Sequence, residues 1–389
     1  MKSLADLVAR YQYFGWIAFI AAVFLTPLAM RLAHRYGVLD IPDQKLKPHA
    51  RPIPYLGGAA ICVAWALAIA VALASGVVGD WRTMLPILLG GMAMSALGLA
   101  DDVRDLPPKL RLVVGAAVIG GVVLLSGAGV GLVDALLLGT NAVFHTRLSL
   151  PPAVAGAASA VISVLIVLGA CNSSNLMDGL DGLCSGVTGI ISLGFFLLAA
   201  HLGQWGFSDS GDPIRMVLAL AMFGAALGFL PWNFNPAKIF MGDAGSVLLG
   251  YNCGMLILLF AERGNLRWVI GALMIFALPV FDTALAMFRR WRAGRSIFEG
   301  DRSHFYDQLV QRGFSVRQTV FTCYGLAVLY GGIGLLLTWV HGGGPVIRTR
   351  YAVPLYFGVC ALTAVIAWRA GLTRPEEARQ PGELAGKKS

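Results

Sequence analysis

The chain has 389 residues, of which 57% are hydrophobic and only 13% charged, with 48 glycines, a mean hydropathy of +0.72 and a formal net charge of +9. These values exclude an ordinary soluble globular domain and predict a polytopic membrane protein. The positive charge does not predict a nucleic-acid-binding surface, because no run of Lys and Arg is interleaved with stacking aromatics.

Apolar runs long enough to cross a hydrocarbon core of about 30 Å occur at 13–33, 55–79, 83–100, 110–127, 152–170, 185–203, 214–231, 244–261, 267–288, 319–340 and 350–369. The expected architecture is therefore all-α, with eleven transmembrane helices in a single membrane domain over 1–370 and a disordered tail over 371–389. The apolar stretch 128–139 is too short to span and is assigned to a loop. The first run is longer than the apolar part of a signal peptide and lacks a small-residue cleavage pattern, so it reads as a retained helix. Six cysteines are scattered without a CxxC pair or metal-ligand spacing and read as packing residues.

About two thirds of the 30 lysines and arginines lie after odd-numbered spans. Positive charge is retained in the cytoplasm during insertion, so those segments are expected to be cytoplasmic, with the N-terminus periplasmic and the C-terminus cytoplasmic.

Five unusual polar segments all follow odd-numbered spans. In the first, 47–58, prolines at 48, 52 and 54 hold the backbone extended around His49 and Arg51. The second, DDVRD at 101–105, sets Asp101 and Asp102 side by side with Asp105 one turn on. Such carboxylates repel unless a cation or a proton lies between them, which suits Mg2+ or general-base work. A solvated helix end neutralised by Arg104, Lys109 and Arg111 is the plainer alternative.

In the third, NSSNLMDGLDGL at 172–183, two Asp-Gly pairs carrying Asp178 and Asp181 follow Asn172 and Asn175. Glycine permits tight turns and close approach of a ligand to the backbone. Asp and Asn there can hold nucleotide hydroxyls or a metal, and a plain Asp-Gly turn is the alternative. The fourth runs from Asn233 to Ser246. Asp243 opens a helix between glycines, a position suited to capping and to phosphate, and Phe240 can stack on a base or anchor at the interface. The fifth, 289–318, carries seven arginines with His304. Arg302 and His304, deep in the loop, suit phosphate oxygens, whereas Arg289, Arg290 and Arg292 beside the span suit anionic headgroups.

Five placements on one face point to one composite site. Magnesium-holding carboxylates, phosphate-binding cations and nucleotide-holding turns at a membrane edge point to phosphoryl transfer between a nucleotide and a lipid. No GxxxxGK[ST] string is present, which disfavours a P-loop ATPase.

These five motifs, in this order, resemble the polyprenyl-phosphate N-acetylhexosamine-1-phosphate transferases (glycosyltransferase family 4), and the chain is more similar to their WecA branch than to their MraY branch. The resemblance implies transfer of a sugar 1-phosphate from a UDP-sugar to undecaprenyl phosphate with release of UMP, initiating a cell-envelope polysaccharide. It implies Mg2+, with Mn2+ as a substitute, and a multi-pass enzyme of the bacterial inner membrane whose active site faces the cytoplasm. A homo-oligomer is compatible with it, and no nucleic-acid partner is implied.

Residue by residue, the resemblance implies that Asp101 or Asp102 orients or deprotonates the lipid phosphate and that Asp243, with Asp102, ligates the metal. Asn175 and Asp178 then line the nucleotide site, with Phe240 against uracil, and Asp181 in the same turn is a further substrate-binding candidate. Arg302 and His304 then meet the diphosphate or the sugar; His49 and Arg51 are substrate-binding candidates of similar standing from the residues of the first loop alone. One departure is local: the family's His-x-His-His reads His304-Phe305-Tyr306-Asp307 here, so the sugar stays open. The alternatives are an MraY-like phospho-N-acetylmuramoyl-pentapeptide transferase, an intramembrane prenyltransferase and, outside the enzymes, a multi-span transporter with its charges near the midplane.

Overall fold

The computed structural model describes residues 3–41, 52–205, 212–261, 265–294, 304–342 and 344–373. His49, Arg51 and Arg302, together with the tail beyond 373, lie outside the described residues.

The described chain is built from helices. In order they are α1 (Leu4–Tyr36), α2 (Gly57–Ala74), α3 (Trp81–Arg104), α4 (Pro108–Ser126), α5 (Leu132–Phe144), α6 (Pro152–Leu176) and α7 (Leu183–Gln204). Then follow α8 (Asp212–Asn233), α9 (Gly242–Ala261), α10 (Leu266–Ile275), α11 (Ala277–Arg292), α12 (Phe305–Gln311), α13 (Val316–Thr338) and α14 (Thr349–Arg369). Two antiparallel two-residue pairs complete it: β1 (Leu39–Asp40) with β2 (Ile53–Pro54), and β3 (Val340–His341) with β4 (Gly344–Pro345).

Ten of these helices are long and apolar enough to cross a membrane, and α10 with α11 is a pair bent by 73° that brings the number to eleven when counted as one span. Ten of the eleven runs predicted from hydropathy are single spanning-length helices, and the ninth, 267–288, is this bent pair. The segment expected as a loop at 128–139 is different: Leu132–Phe144 is a 13-residue helix. Its local sequence satisfies a helix, but at 1.5 Å per residue it is too short to cross.

Local chemistry sets the ends. Ser3 accepts from Asp6 N at 3.1 Å while its own N–H donates to Asp6 Oδ2 at 3.0 Å, a reciprocal cap that starts α1. Asp80 starts α3 by accepting from Thr83 N at 3.2 Å. Proline occupies the first position of both α4 and α6, where its missing N–H costs nothing.

Helix α9 is the centre of the bundle. Its apolar window is 100% buried, against 11% for the peripheral α14. An all-round apolar helix of this kind belongs inside a bundle, and α9 packs on α6, α3, α2 and α10. Its far end is closed by Arg215 of α8, whose guanidinium donates twice to Leu259 O, at 2.9 and 2.6 Å, and pairs with Asp212 at 3.0 Å. That arrangement satisfies an orphan carbonyl and complements the negative end of the helix dipole.

Candidate active site

The near end of α9 is where the predicted residues meet. The strand-like segment before α2 docks on the turn before α9: Phe240 N donates to Pro54 O (2.9 Å), Gly57 N to Phe240 O (3.0 Å) and Gly58 N to Met241 O (2.8 Å). Gly242 turns the chain with φ +66° into α9. The first and fourth polar segments are thus one structure.

Asp102, at the last turn of α3, faces this start. Its Oδ1 accepts from Asp243 N at 2.8 Å and its Oδ2 from Ala244 N at 3.1 Å. The sequence offers Asp243 as the helix cap. The structure gives that role to Asp102, reaching from another helix, because Asp243 already lies inside the first turn. Asp243 is thereby released to point elsewhere. Its Oδ1 accepts from Asn175 Nδ2 at 2.7 Å, and its Oδ2 pairs with Arg111 Nη1 at 2.6 Å. The same Arg111 nitrogen pairs with Asp101 Oδ2, and Asp101 Oδ1 accepts from Leu106 N at 2.8 Å, closing the turn after α3. Asn175 also donates to Ser246 Oγ at 3.1 Å.

Four helices therefore contribute to one centre: Asp101 and Asp102 from α3, Arg111 from α4, Asn175 from α6 and Asp243 from α9. Arg111 enters the sequence reading only as a neutraliser of the adjacent acids. Its bridge from Asp101 to Asp243, 132 residues away in sequence, has no local signature.

Asp178 sits in the turn between α6 and α7. Burial pushes its carboxyl well above the usual carboxylate range, and the neighbouring charges of Asp243, Asp102 and Asp181 push it the same way. Asp181 is committed differently: its Oδ2 accepts from Asn235 Nδ2 (2.9 Å) and Ala237 N (3.0 Å), so it pins the segment before α9 to the Asp-Gly turn. Asn233 reinforces that junction by accepting from Gly182 N and Ser185 Oγ, each at 3.1 Å.

Phe240 is partly buried and meets Tyr55 edge to face, with centroids 6.3 Å apart and planes at 88°. Burial and the carboxylates of Asp102, Asp243, Asp178 and Asp40 hold the Tyr55 hydroxyl well above its usual range. Tyr55 stands inside a motif singled out from sequence but is not chosen there as a site residue. Its proximity to the acids required the docking of two loops. His304 is buried, and its Nδ1 lies 2.8 Å from Asp282 Oδ2. Asp282 is absent from the sequence reading, although an aspartate inside the ninth span is itself a signal.

The centre is rich in oxygen donors. Among the described residues no group of three or more His, Cys, Asp or Glu side chains is arranged to hold a metal. Mg2+ commonly takes one or two carboxylates and completes its octahedron with water and substrate phosphate. Asp243 and Asp101, converging on one guanidinium, fit that demand, because a cation is already accommodated between them. Both Asp102 oxygens accept backbone N–H groups, which leaves that residue its remaining lone pairs for a metal.

Fold and site together define a multi-pass membrane protein with a carboxylate-rich centre at one end of its helix bundle. The family profile described as Glycosyl transferase family 4 matches residues 84–261. A Bacillus subtilis (strain 168) protein named "probable undecaprenyl-phosphate N-acetylglucosaminyl 1-phosphate transferase" is 30% identical over 326 residues, covering 82% of this chain and 83% of the relative. The decaprenyl-phosphate N-acetylglucosaminephosphotransferase of Mycolicibacterium smegmatis is 30% identical over 332 residues, covering 80% and 78%. The phospho-N-acetylmuramoyl-pentapeptide-transferase of Corynebacterium jeikeium is a weaker match, 29% identical over 367 residues, covering 84% and 97%. The chain belongs to the polyprenyl-phosphate N-acetylhexosamine-1-phosphate transferases of glycosyl transferase family 4, and is a phosphosugar transferase.

Proposed function

We propose that the protein transfers an N-acetylhexosamine 1-phosphate from a UDP-sugar to undecaprenyl phosphate at the cytoplasmic face of a bacterial inner membrane. An oxygen of the lipid phosphate attacks the sugar-bearing phosphorus of the donor. The bond from that phosphorus to the bridging oxygen breaks, UMP leaves with the bridging oxygen, and a polyprenyl-diphospho-sugar remains. The observation that carries this reading is the convergence of Asp101, Arg111, Asn175 and Asp243 at the apolar helix ends, where a lipid-borne phosphate can approach from the bilayer.

In this reaction the protein mainly positions groups in line and balances charge. Asp101 orients or deprotonates the lipid phosphate. Asp102 fixes the start of α9, so that Asp243 presents its carboxylate. Asn175 and Asp178 line the nucleotide site with Phe240, while Asp181 holds that site's floor in place. Arg302 and His304, with His49 and Arg51, serve the diphosphate and the sugar. Asp243, with Asp101 and Asp102, would hold Mg2+, or Mn2+ in its place, which supplies neutralisation of phosphate oxygens.

The test is purified protein in nanodiscs with undecaprenyl phosphate and a panel of UDP-sugars, scoring UMP and the mass of the lipid product, with and without chelator. One donor should give stoichiometric UMP and a diphospholipid, lost with chelator and regained with Mg2+. Substrate flux without UMP would support a transporter and refute the proposal.

Asp178 gives a second expectation. Its raised pKa means that the fold favours the neutral acid. The associated stability is complete below the ordinary aspartate value of 3.8 and is lost as pH rises through the raised value. Asp178→Asn removes that loss. Its melting temperature is expected to exceed wild type by on the order of 2 °C or more at pH 8, with the gap closing toward pH 4. UMP release falls about 10²-fold as a positioned donor contact disappears. Thermal melts across pH decide the first half; a variant less stable than wild type at pH 8 contradicts it.

A further inference from the structure

None of the roles above uses Asp282, a buried carboxylate in α11 just beyond the bend of the ninth span. Both its oxygens are engaged with the start of α12: Oδ2 lies 2.8 Å from His304 Nδ1, and Oδ1 accepts from Phe305 N at 2.7 Å. His304 is 4% exposed and lies flat on the Tyr306 ring, with centroids 5.5 Å apart and planes at 6°. Tyr306 in turn donates its hydroxyl to Leu176 O at 2.7 Å. Leu176 ends α6, one residue after Asn175 and two before Asp178. Gly179 gives the hydroxyl its room, since a Cβ there would meet it at 2.2 Å. A continuous path thus runs from the bent span through His304 to the Asp178 turn.

We propose that Asp282 and Tyr306 are positioning residues that hold His304 in one tautomer, with Nδ1–H donating to Asp282, and lock it in register with the Asp178 turn. A carboxylate can only accept, and at 2.8 Å it is a stronger partner than the neutral Asp307 N–H that also faces the His304 side chain at the start of α12, so the proton is placed on Nδ1. Nε2 is then the ring nitrogen not engaged by Asp282, an acceptor in neutral imidazole and a donor to phosphate in imidazolium. Partners of this kind fix the ring's orientation as well as its tautomer. The functional half of the proposal rests on the reading above, in which His304 serves the donor.

The experiment is 15N-histidine NMR of the full-length protein in nanodiscs, with His304→Gln used to assign the His304 signals among the six histidines, alongside steady-state kinetics. Wild type should show His304 protonated at Nδ1. In Asp282→Asn the amide N–H donates to Nδ1 instead, so the proton moves to Nε2 and kcat falls about 10–100-fold, with KM for the UDP-sugar little changed. Asp282→Glu keeps an acceptor and should restore the tautomer and part of kcat. Tyr306→Phe keeps the ring stack and the tautomer but raises KM about fivefold, the weight of one net hydrogen bond.

An unchanged tautomer in Asp282→Asn overturns the clamp. A switched tautomer with full activity in Asp282→Asn but none in His304→Gln overturns its functional half. A switched tautomer with full activity in both variants leaves the clamp standing and removes His304 from the donor site.

Discussion

Asp243→Ala is expected to lower UMP release by about 10³-fold or more while changing thermal stability little. Among the described residues Asp243 is the side chain that engages both Asn175, on the proposed nucleotide side, and Arg111, on the proposed acceptor side, at 2.7 and 2.6 Å. Its removal takes a carboxylate from the place where phosphate charge must be balanced. Loss of one preorganised electrostatic partner costs about 10²–10³ in rate, and loss of the proposed metal contact adds to that.

Stability responds differently because the deleted interactions oppose one another. The two charge-assisted hydrogen bonds are worth about 1.5–3 kcal/mol each, but the same carboxylate crowds Asp102 and Asp178. Asn175 retains Ser246 Oγ and Arg111 retains Asp101. Turnover within tenfold of wild type, in a variant whose melt is unchanged, would remove Asp243 from the reaction.

Gly58→Ala is expected to damage both fold and activity. A Cβ at Gly58 would meet Gly245 N at 2.2 Å, Met241 O at 2.6 Å and Ala244 C at 2.7 Å. All three are backbone atoms of the turn that carries Asp243, so no side-chain rotation relieves the contact. The start of α2 must withdraw, which stretches the Gly58 N to Met241 O bond of 2.8 Å and shifts the α9 start relative to its Asp102 cap. Overpacking costs about 1–3 kcal/mol, and a displacement near 1 Å costs about 10²-fold in rate. Gly121→Ala is the control, because nothing lies within 4 Å of a Cβ there. Equal melts and equal turnover for the two variants would show that this close approach does not matter.

The spans and the candidate acids were legible in the chain for a physical reason. In hydrocarbon each segment must satisfy its own backbone hydrogen bonds, so a run of apolar residues declares a helix without reference to its neighbours. A carboxylate beside such a run is equally conspicuous. The eleven hydropathic runs and the positions of Asp101, Asp102, Asp178, Asp181 and Asp243 are local facts of this sort.

What each acid does was decided by packing. Asp102 and Asp101 are adjacent in sequence, yet one caps α9 and the other pairs with Arg111, because successive helix positions point about 100° apart and meet different neighbours. Asp181 is taken up by Asn235 and Ala237, whereas Asp178, three residues earlier, is crowded by the acids of the centre. Arg111, Tyr55 and Asp282 acquire their positions from segments that are remote in the chain. By itself, then, the sequence determined the spanning runs, the acids and the family, since apolar periodicity and motif order are one-dimensional. Only the tertiary structure decided the partners, because a hydrogen bond between residues 102 and 243, or between 282 and 304, exists only when the intervening helices have packed.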